Sequence, residues 1–357
     1  MIKSCYIHIP FCKNICSYCD FCKMYYNKDF IDKYLLSLEK EINLYYKNDL
    51  LNTLYIGGGT PSCLDEISLK KLFKIISIFK LNKTYEFTFE CNIEDINEKL
   101  LIFLKENKVN RISIGLQSFN KKYIEFMNRK YLNKKEITDK INLVKKYFNN
   151  INIDLIYGIN NETLKELQEE VDSFINLDVN HISLYSLILE DNTILKTKKY
   201  KEIDDDLNRK MYDYIRKTLK KNNYIHYEIS NFSKKGYMSK HNLCYWNNDN
   251  YYGFGLGSSG FIENIRYTNT RSLNSYINGN YRYYEEKIDK NRNMEYEMIL
   301  NLRKIKGISK KNFYKKYNLN IKDVFDVSKL KENKYYFYIP KKYLFVENYI
   351  LSDFILD

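Results

Sequence analysis

Six strand-like runs, separated by helix-like stretches, fill the first two-thirds of this 357-residue chain and restrict the folds open to it. The runs are apolar and rich in β-branched and aromatic residues, and they cover residues 5–9, 53–56, 85–89, 111–116, 151–157 and 181–187. Amphipathic stretches follow at residues 30–46, 69–79, 100–105, 134–148, 164–175 and 205–221. This repeat of six βα units predicts an α/β fold with a parallel sheet and right-handed crossovers.

A doubly wound sheet and a partial barrel both satisfy this alternation, and the strand ends favour the barrel. Functional residue types lie at or just beyond the end of each run: the cysteine loop, Gly57 to Thr60, Glu90, Gln117, Asp154 and Ser186. Groups gathered from many strand ends onto one rim are typical of a βα barrel. A dinucleotide fold would concentrate its signal in one G-x-G-x-x-G turn. We therefore predict a partial (β/α)6 barrel over residues 1–223.

The remaining third is predicted to form two further units. Residues 224–290 are rich in Tyr, Asn and Gly, and they form an extension without a simple period. Residues 291–357 offer two helical stretches and then two apolar runs, 335–339 and 343–350, joined by a turn at Pro340. Two helices and a β-hairpin predict a small winged-helix-like α+β domain. Such a unit can bind DNA, but a packing or docking role is favoured here.

Three cysteines, Cys12, Cys16 and Cys19, are spaced C-x3-C-x2-C directly after the first run. Three thiolates on one loop can hold three irons of a [4Fe–4S] cluster and leave the fourth iron open. A zinc site is the main alternative, with Cys22 or His8 as a fourth ligand. The run Gly57-Gly58-Gly59 follows the second strand, where backbone groups without side chains can approach a small ligand. Together these features favour the cluster.

These motifs resemble the radical S-adenosylmethionine (SAM) superfamily, and especially its branch containing oxygen-independent coproporphyrinogen III oxidase. The likeness is carried by residues 6–12, the cysteine loop, residues 57–61, 111–119, 154–158 and 227–232, and extends into residues 298–309. It implies that Cys12, Cys16 and Cys19 hold the cluster while SAM occupies the open iron. It further implies a cofactor pocket lined by Tyr6, Tyr18, Phe21, Gly58, Gly59, Thr60, Glu90, Gln117, Arg129 and Asp154.

Two features separate the branches of this family. The oxidase has an extension ahead of its cysteine loop and a further cysteine two residues after the third, whereas position 21 here is Phe21. The stretch from His241 to Trp246 reads H-N-x-x-Y-W and resembles the haem-binding signature of the HemW haem chaperones. The resemblance implies haem as a third cofactor, bound through His241, Asn242, Tyr245 and Trp246, and transfer of haem to an acceptor protein. An oxidase and a zinc-stabilised nucleic-acid-binding protein stay as alternatives.

The sequence also departs from the family pattern near Arg129. The family tends to show Gly-Arg-x-His there, and this chain has Asn128-Arg129-Lys130-Tyr131. After Gly158, where Pro is usual, it has Ile159. The missing histidine weakens a catalytic role for this loop and leaves Arg129 available for SAM.

The amino-acid composition indicates which cellular compartment and which binding partners to expect. The eight cysteines cluster near one end, which is typical of metal or redox use in a reducing cytoplasm rather than of a secreted disulfide framework. No run is long enough to span a bilayer, and no leader peptide is apparent. The net charge of +13 is spread along the chain, so no nucleic-acid partner is expected. The expected partners are a haem acceptor and an electron donor, with peripheral membrane association as a further option.

Overall fold

Nine strands form one sheet, and its six central members are the predicted βα strands. A computed structural model describes residues 1–356. The strands, in chain order, are β1 (Ser4–Ile9), β2 (Phe11–Cys12), β3 (Met24–Tyr25), β4 (Leu50–Gly58), β5 (Lys80–Asn92), β6 (Arg111–Gln117), β7 (Ile151–Tyr157), β8 (His181–Ser186), β9 (Ile225–His226), β10 (Asn231–Ser233), β11 (Tyr252–Phe254), β12 (Ser259–Ile262), β13 (Ile265–Asn269), β14 (Arg282–Lys287), β15 (Ile308–Ser309), β16 (Lys331–Glu332) and β17 (Tyr336–Tyr338).

The large sheet has the order β11-β1-β4-β5-β6-β7-β8-β10-β9. Every pair from β11 to β8 is parallel, and β10 and β9 close the far edge in antiparallel fashion. The predicted partial barrel is confirmed, and β11 adds a parallel strand that the sequence did not reveal. Because all parallel strands point the same way, their carboxyl ends meet at one rim.

Thirteen α-helices connect or flank these strands within the described residues. Their bounds are α1 (Lys28–Tyr45), α2 (Glu66–Ile76), α3 (Glu98–Glu106), α4 (Lys121–Phe126), α5 (Lys134–Tyr147), α6 (Leu164–Asn176), α7 (Ile194–Thr197), α8 (Asp205–Lys221), α9 (Lys240–Trp246), α10 (Leu273–Ile277), α11 (Lys290–Leu302), α12 (Lys310–Tyr317) and α13 (Glu347–Leu351). Side-chain caps mark where the crossover helices begin. Asn133 and Thr163 form capping boxes with Glu136 and Glu166, which satisfy backbone donors at the starts of α5 and α6.

The C-terminal unit contains α11, α12 and a three-stranded antiparallel sheet of order β15-β17-β16. The predicted hairpin between runs 335–339 and 343–350 is wrong. The first run forms β17, but the second is helical and begins as a 3-10 helix, Lys341–Val346, that leads into α13. Leu344, Glu347 and Ile350 are buried at a spacing of three residues, which is a helical period rather than the alternation of a strand. The hairpin strand that pairs with β17 is β16 instead.

One continuous hydrophobic core joins the three predicted units. It runs from Ile2 in the barrel through Tyr276 in the extension to Phe354 near the chain end. The divisions at residues 223 and 290 stay a prediction, because apolar packing continues across both. No helix within residues 1–356 is both long and apolar enough to cross a membrane.

Candidate cofactor site

The cysteine loop lies at the rim of a cavity of about 460 Å³, and Cys12, Cys16 and Cys19 all line that cavity. The loop is held at both ends. Short parallel pairing of β2 with β3 is accompanied by hydrogen bonds from the Met24 N–H to the Pro10 carbonyl and from the Tyr26 N–H to the Cys12 carbonyl, both 2.8 Å. The three thiols are free of disulfides, and Cys12 is buried while the other two are half-exposed. They are therefore presented together to one interior space.

The zinc alternative finds no support in the arrangement of its proposed fourth ligands. The His8 ring is engaged at both nitrogens, with the Tyr6 hydroxyl at 3.0 Å from Nδ1 and the Cys22 carbonyl at 2.7 Å from Nε2. Cys22 lies behind the loop, near Gly257, and does not line the cavity. No three His, Cys, Asp or Glu side chains of residues 1–356 surround a point where one metal ion could bind. Cluster ligation instead places each thiolate on a separate iron.

The glycine run packs against both the cysteine loop and the barrel interior. A Cβ on Gly59 would lie 2.7 Å from the carbonyl carbon of Pro10, and one on Gly57 would lie 2.6 Å from the carboxyl carbon of Glu90. Gly58 has a φ of +116°, which side chains rarely adopt. The glycines are thus required by close packing around the site. Thr60 completes the contact by donating its hydroxyl to the Cys12 sulfur at 3.4 Å.

Glu90 and Asp154 lie on the inner faces of β5 and β7. Glu90 accepts hydrogen bonds from the Tyr55 hydroxyl at 2.6 Å and the Gly58 N–H at 3.0 Å. Burial nevertheless raises the pKa of Glu90 to about 7. Asp154 accepts from the Asn152 amide at 2.8 Å, and burial raises its pKa as well. Both carboxyls line the cavity, where a ligand with hydroxyl or ammonium donors would meet them.

Arg129 is buried in the wall and held by three acceptors. It donates to the Gly115 carbonyl at 2.8 Å and the Asn92 side chain at 3.0 Å, and it pairs with Glu94 at 3.4 Å. Asn128 has a φ of +55°, a conformation that suits glycine or asparagine. That backbone geometry explains why Asn can stand where the family pattern has Gly.

Gln117 has the most unusual backbone among the predicted ligands. Its φ is +71°, at a bulge where the pairing of β6 with β7 shifts between Gly115 and Gln117. The Gln117 side chain lines the cavity, and its buried Oε1 has no hydrogen-bond partner among residues 1–356. A strained backbone and an unpartnered acceptor at one residue are typical of a ligand site. These residues fit the cluster and SAM that the motifs imply.

The aromatic residues predicted near the loop occupy different places. Tyr18 is half-buried and lines the cavity, whereas Phe21 lies at the rim with 67% of its surface exposed. Tyr6 is half-buried and does not line the cavity, and its hydroxyl contacts the His8 ring. Its ring lies 5.9 Å from Tyr55 and 6.4 Å from His241. Tyr6 therefore links the cluster side of the barrel to the histidine motif.

The histidine motif forms α9, which contacts the first half of β4 at Thr53, next to the start of β1 rather than the end that leads into the cysteine loop. His241 is 1% exposed, with Nδ1 2.8 Å from the Thr53 hydroxyl and Nε2 2.7 Å from the Tyr245 hydroxyl. Burial lowers its pKa to about 3, so the imidazole is neutral. Asn242 lines the cavity, while Trp246 lies outside it against Arg303, 5.7 Å from the ring centre. The structure therefore brings Asn242 to the cluster cavity and leaves His241, Tyr245 and Trp246 behind its wall.

Comparison with known proteins shows the family. Residues 6–174 match the radical SAM superfamily. A Lactococcus lactis protein named haem chaperone HemW is 38% identical over 332 residues, covering 90% of this chain and 87% of that protein. A Bacillus subtilis protein of the same name is 38% identical over 338 residues, covering 91% and 89%. This chain belongs to the HemW family.

A solved enzyme has the same fold as this HemW-family chain. Coproporphyrinogen III oxidase (HemN) from Escherichia coli, a radical SAM enzyme, superposes with a TM-score of 0.86 over 99% of this chain and 90% of that one. At 20% identity this match shows a common fold alone. Since it covers nearly the whole chain, the extension and the C-terminal unit belong to that fold as well.

Sequence reasoning found Glu90, Gln117 and Asp154 but missed other inward-facing residues of the HemW-family barrel. Residues at alternate positions of β6, β7 and β8 line the cavity: Arg111, Ser113, Gly115, Asn152, Ser183 and Tyr185. Tyr55 and Asn92 join them from β4 and β5. Side chains in a strand alternate between faces, so spacing by two from Gln117 and Asp154 would have found those on β6 and β7.

Proposed function

We propose that this chain is a haem chaperone that binds a [4Fe–4S] cluster, SAM and haem, and transfers haem to an acceptor protein. The main support is the 38% sequence identity, over about nine-tenths of the chain, with proteins named haem chaperone HemW. The intact H-N-x-x-Y-W stretch in α9 supports the haem part of the proposal. We place the protein in the cytoplasm, with the acceptor and the electron donor as partners of unknown identity.

The cysteine loop would hold the cluster through Cys12, Cys16 and Cys19. When bound, the cluster supplies an electron and one iron without a protein ligand. The chain's own contribution is to hold the thiolates beside a shielded cavity. Burial raises the pKa of the Cys12 thiol to about 11, so loading must release its proton.

SAM would occupy the cavity between the loop and the strand ends. The carboxyls of Glu90 and Asp154 would accept from ammonium or ribose hydroxyl groups, and Gln117 Oε1 offers a further acceptor without a partner of its own. Arg129 is already paired with Glu94, so it would position the wall and recruit a carboxylate at its remaining donors.

Haem would bind through the neutral His241 imidazole, an ordinary haem ligand. Ligation requires one ring nitrogen to leave its present partner, Thr53 or Tyr245, and the almost fully buried ring to become accessible. Haem loading therefore involves movement of α9. Trp246 and Tyr245 would then contact the porphyrin.

Anaerobic reconstitution tests the cluster. The wild type should take up about four irons per chain and absorb broadly near 400 nm, as expected for [4Fe–4S] proteins. Replacing Cys12, Cys16 or Cys19 by alanine should abolish both signals. Cys22→Ala, which removes a nearby thiol that does not line the cavity, is the matched control and should retain them. One tightly bound zinc in place of iron would contradict the proposal.

Haem titration tests the chaperone. His241→Ala should weaken binding and change the haem spectrum, whereas the control His226→Ala, a half-buried histidine outside α9, should do neither. Transfer is measured as haem appearing in a separated acceptor protein. Conversion of coproporphyrinogen III in the presence of SAM and a reductant would replace the chaperone proposal with an oxidase.

A further inference from the structure

Tyr55 on β4 contacts residues that the proposed function assigns to two different cofactors. Its side chain lines the cofactor cavity, where its hydroxyl donates to Glu90 Oε1 at 2.6 Å. The ring of the same residue lies 5.0 Å from the His241 ring, with an angle of 34° between the two planes. Tyr55 therefore lies between the carboxyl assigned to SAM and the imidazole assigned to haem, and it contacts both.

The His241 ring is held against Tyr55 by the position of α9. The backbone N–H groups of Lys240 and His241, at the start of this helix, both donate to the Glu86 carboxylate at 3.0 Å. Only 1% of the surface of His241 is exposed. Since ligation of haem requires this ring to become accessible, haem loading withdraws His241 from the side of Tyr55.

Withdrawal of His241 would leave a void beside the Tyr55 ring. Protein interiors are close-packed, and the side chains that line a void lose contacts. We therefore expect the Tyr55 ring to shift towards the vacated space and to carry its hydroxyl away from Glu90. The hydrogen bond between these two residues opposes that shift, and its strength depends on the charge of the carboxyl, because hydrogen bonds to ionised groups are roughly twice as strong as those between neutral groups.

The charge of Glu90 depends in turn on SAM. Burial, and to a lesser extent the charge of Asp154, raises the pKa of Glu90 to about 7 against the opposing charge of Arg111 and the hydrogen bonds that Glu90 accepts. At about pH 6.5 the carboxyl without a ligand is therefore mostly protonated. An ammonium or hydroxyl donor of SAM would favour the carboxylate, and so strengthen the hydrogen bond that keeps Tyr55 in place.

We propose that Tyr55 couples the two sites, so that bound SAM keeps His241 in its buried position and weakens haem binding. The proposal rests on the function proposed above, which places SAM at Glu90 and haem at His241. Coupling between two binding sites is reciprocal, so bound haem weakens SAM binding by the same factor. Haem therefore loads most readily onto the protein without SAM.

Titrations of one ligand in the presence and absence of the other test this coupling on reconstituted full-length protein at about pH 6.5. Haem affinity is measured by difference absorbance with and without saturating SAM, and SAM affinity by calorimetry with and without saturating haem. Tyr55→Phe removes the hydroxyl and keeps the ring beside His241. Tyr185→Phe is the matched control, because it removes a tyrosine hydroxyl from the same cavity on β8, four strands away from β4.

In the wild type, SAM should weaken haem binding about five-fold, and haem should weaken SAM binding by the same factor. Both effects should disappear in Tyr55→Phe, because the hydrogen bond to Glu90 is gone, although each ligand alone should still bind. Tyr185→Phe should keep the wild-type factor. The factor is a ratio of affinities within one protein, so a general loss of structure does not produce this pattern.

A chemical probe gives a second measurement on the wild type and keeps the proposal testable if Tyr55→Phe does not fold. In haem-free protein, diethyl pyrocarbonate should modify His241 about five-fold more slowly when SAM is bound, because SAM favours the buried position of the ring. The modified histidine is located by peptide mass. Equal rates with and without SAM would overturn the proposal.

The titrations can overturn the proposal in three ways. Haem affinity in the wild type could be unchanged or increased by SAM, the wild-type factor could persist in Tyr55→Phe, or the coupling could be lost equally in Tyr185→Phe. Failure of the wild type to bind SAM alone or haem alone would instead contradict the proposed function, and the coupling with it.

Discussion

The affinity for SAM should depend on the protonation of Glu90. This carboxyl has a pKa of about 7 instead of its ordinary 4.5, because burial outweighs the hydrogen bonds from Tyr55 and Gly58. A SAM ammonium or hydroxyl donor would favour the ionised carboxylate. SAM binding should therefore release a proton from Glu90 below pH 7, and affinity should rise with pH until that proton is already gone.

The magnitude follows from the pKa. With half of Glu90 protonated near pH 7, linkage predicts about ten-fold weaker SAM binding at pH 6 than at pH 8. The same raised pKa makes the stability of the free protein depend on pH, in the opposite direction. A folded pKa above the ordinary value stabilises the fold fully below pH 4.5, and this contribution is lost as pH rises through 7. The difference corresponds to about 3 kcal/mol for one carboxyl.

Calorimetry of SAM binding from pH 5.5 to 8.5 measures this dependence, with Glu90→Gln as the comparison. The ratio of wild-type to Glu90→Gln affinities removes the titration of the SAM ammonium, which both proteins share. Glu90→Gln keeps the shape of the side chain and can still accept from Gly58, but it cannot titrate. The ratio of the two SAM affinities should therefore change about ten-fold between pH 6 and 8. A ratio independent of pH would refute the assignment of Glu90 to SAM.

Three further outcomes follow from the packing. Gly59→Ala places a Cβ 2.7 Å from the Pro10 carbonyl carbon, so the reconstituted protein should lose most of its iron; full iron content would contradict the packing argument. Tyr245→Phe frees His241 Nε2 from one hydrogen bond, so haem affinity should rise about five-fold, as about 1 kcal/mol implies. Tyr251→Phe, in the ring that meets Tyr245 edge to face, is its control, and equal affinities of Tyr245→Phe and the wild type would refute this effect. Glu41→Leu leaves buried hydrogen-bond donors on three residues without their acceptor. The free energy of unfolding, measured by urea denaturation, should therefore fall by about 3 kcal/mol or more, and a loss below about 1 kcal/mol would contradict this expectation.

Periodicity predicted the barrel well and the C-terminal unit only in part. Each of the six βα strands lies where the sequence indicated, since parallel strands buried on both faces read as short apolar runs. The run 343–350 is equally apolar but helical, and a run of eight residues does not distinguish the two periods by itself. The strand β11 was missed because only three residues pair and their context is irregular.

The sequence alone determined the chemistry of the rim. The spacing of Cys12, Cys16 and Cys19 is local, and thiolates on one short loop must face one space whatever surrounds them. Glu90 and Gln117 were likewise readable, since the ends of parallel strands meet at one edge. Asp154, which was predicted at a strand end, lies at the middle of β7 and reaches the cavity because its side chain faces inward. Only the tertiary structure decided which side chains below the rim are buried and which partners they have. It buried His241 against Tyr245, and it left the buried Arg111 Nε without a hydrogen-bond partner among residues 1–356. Burial and partnership arise from strands far apart in sequence, so no local pattern carries them.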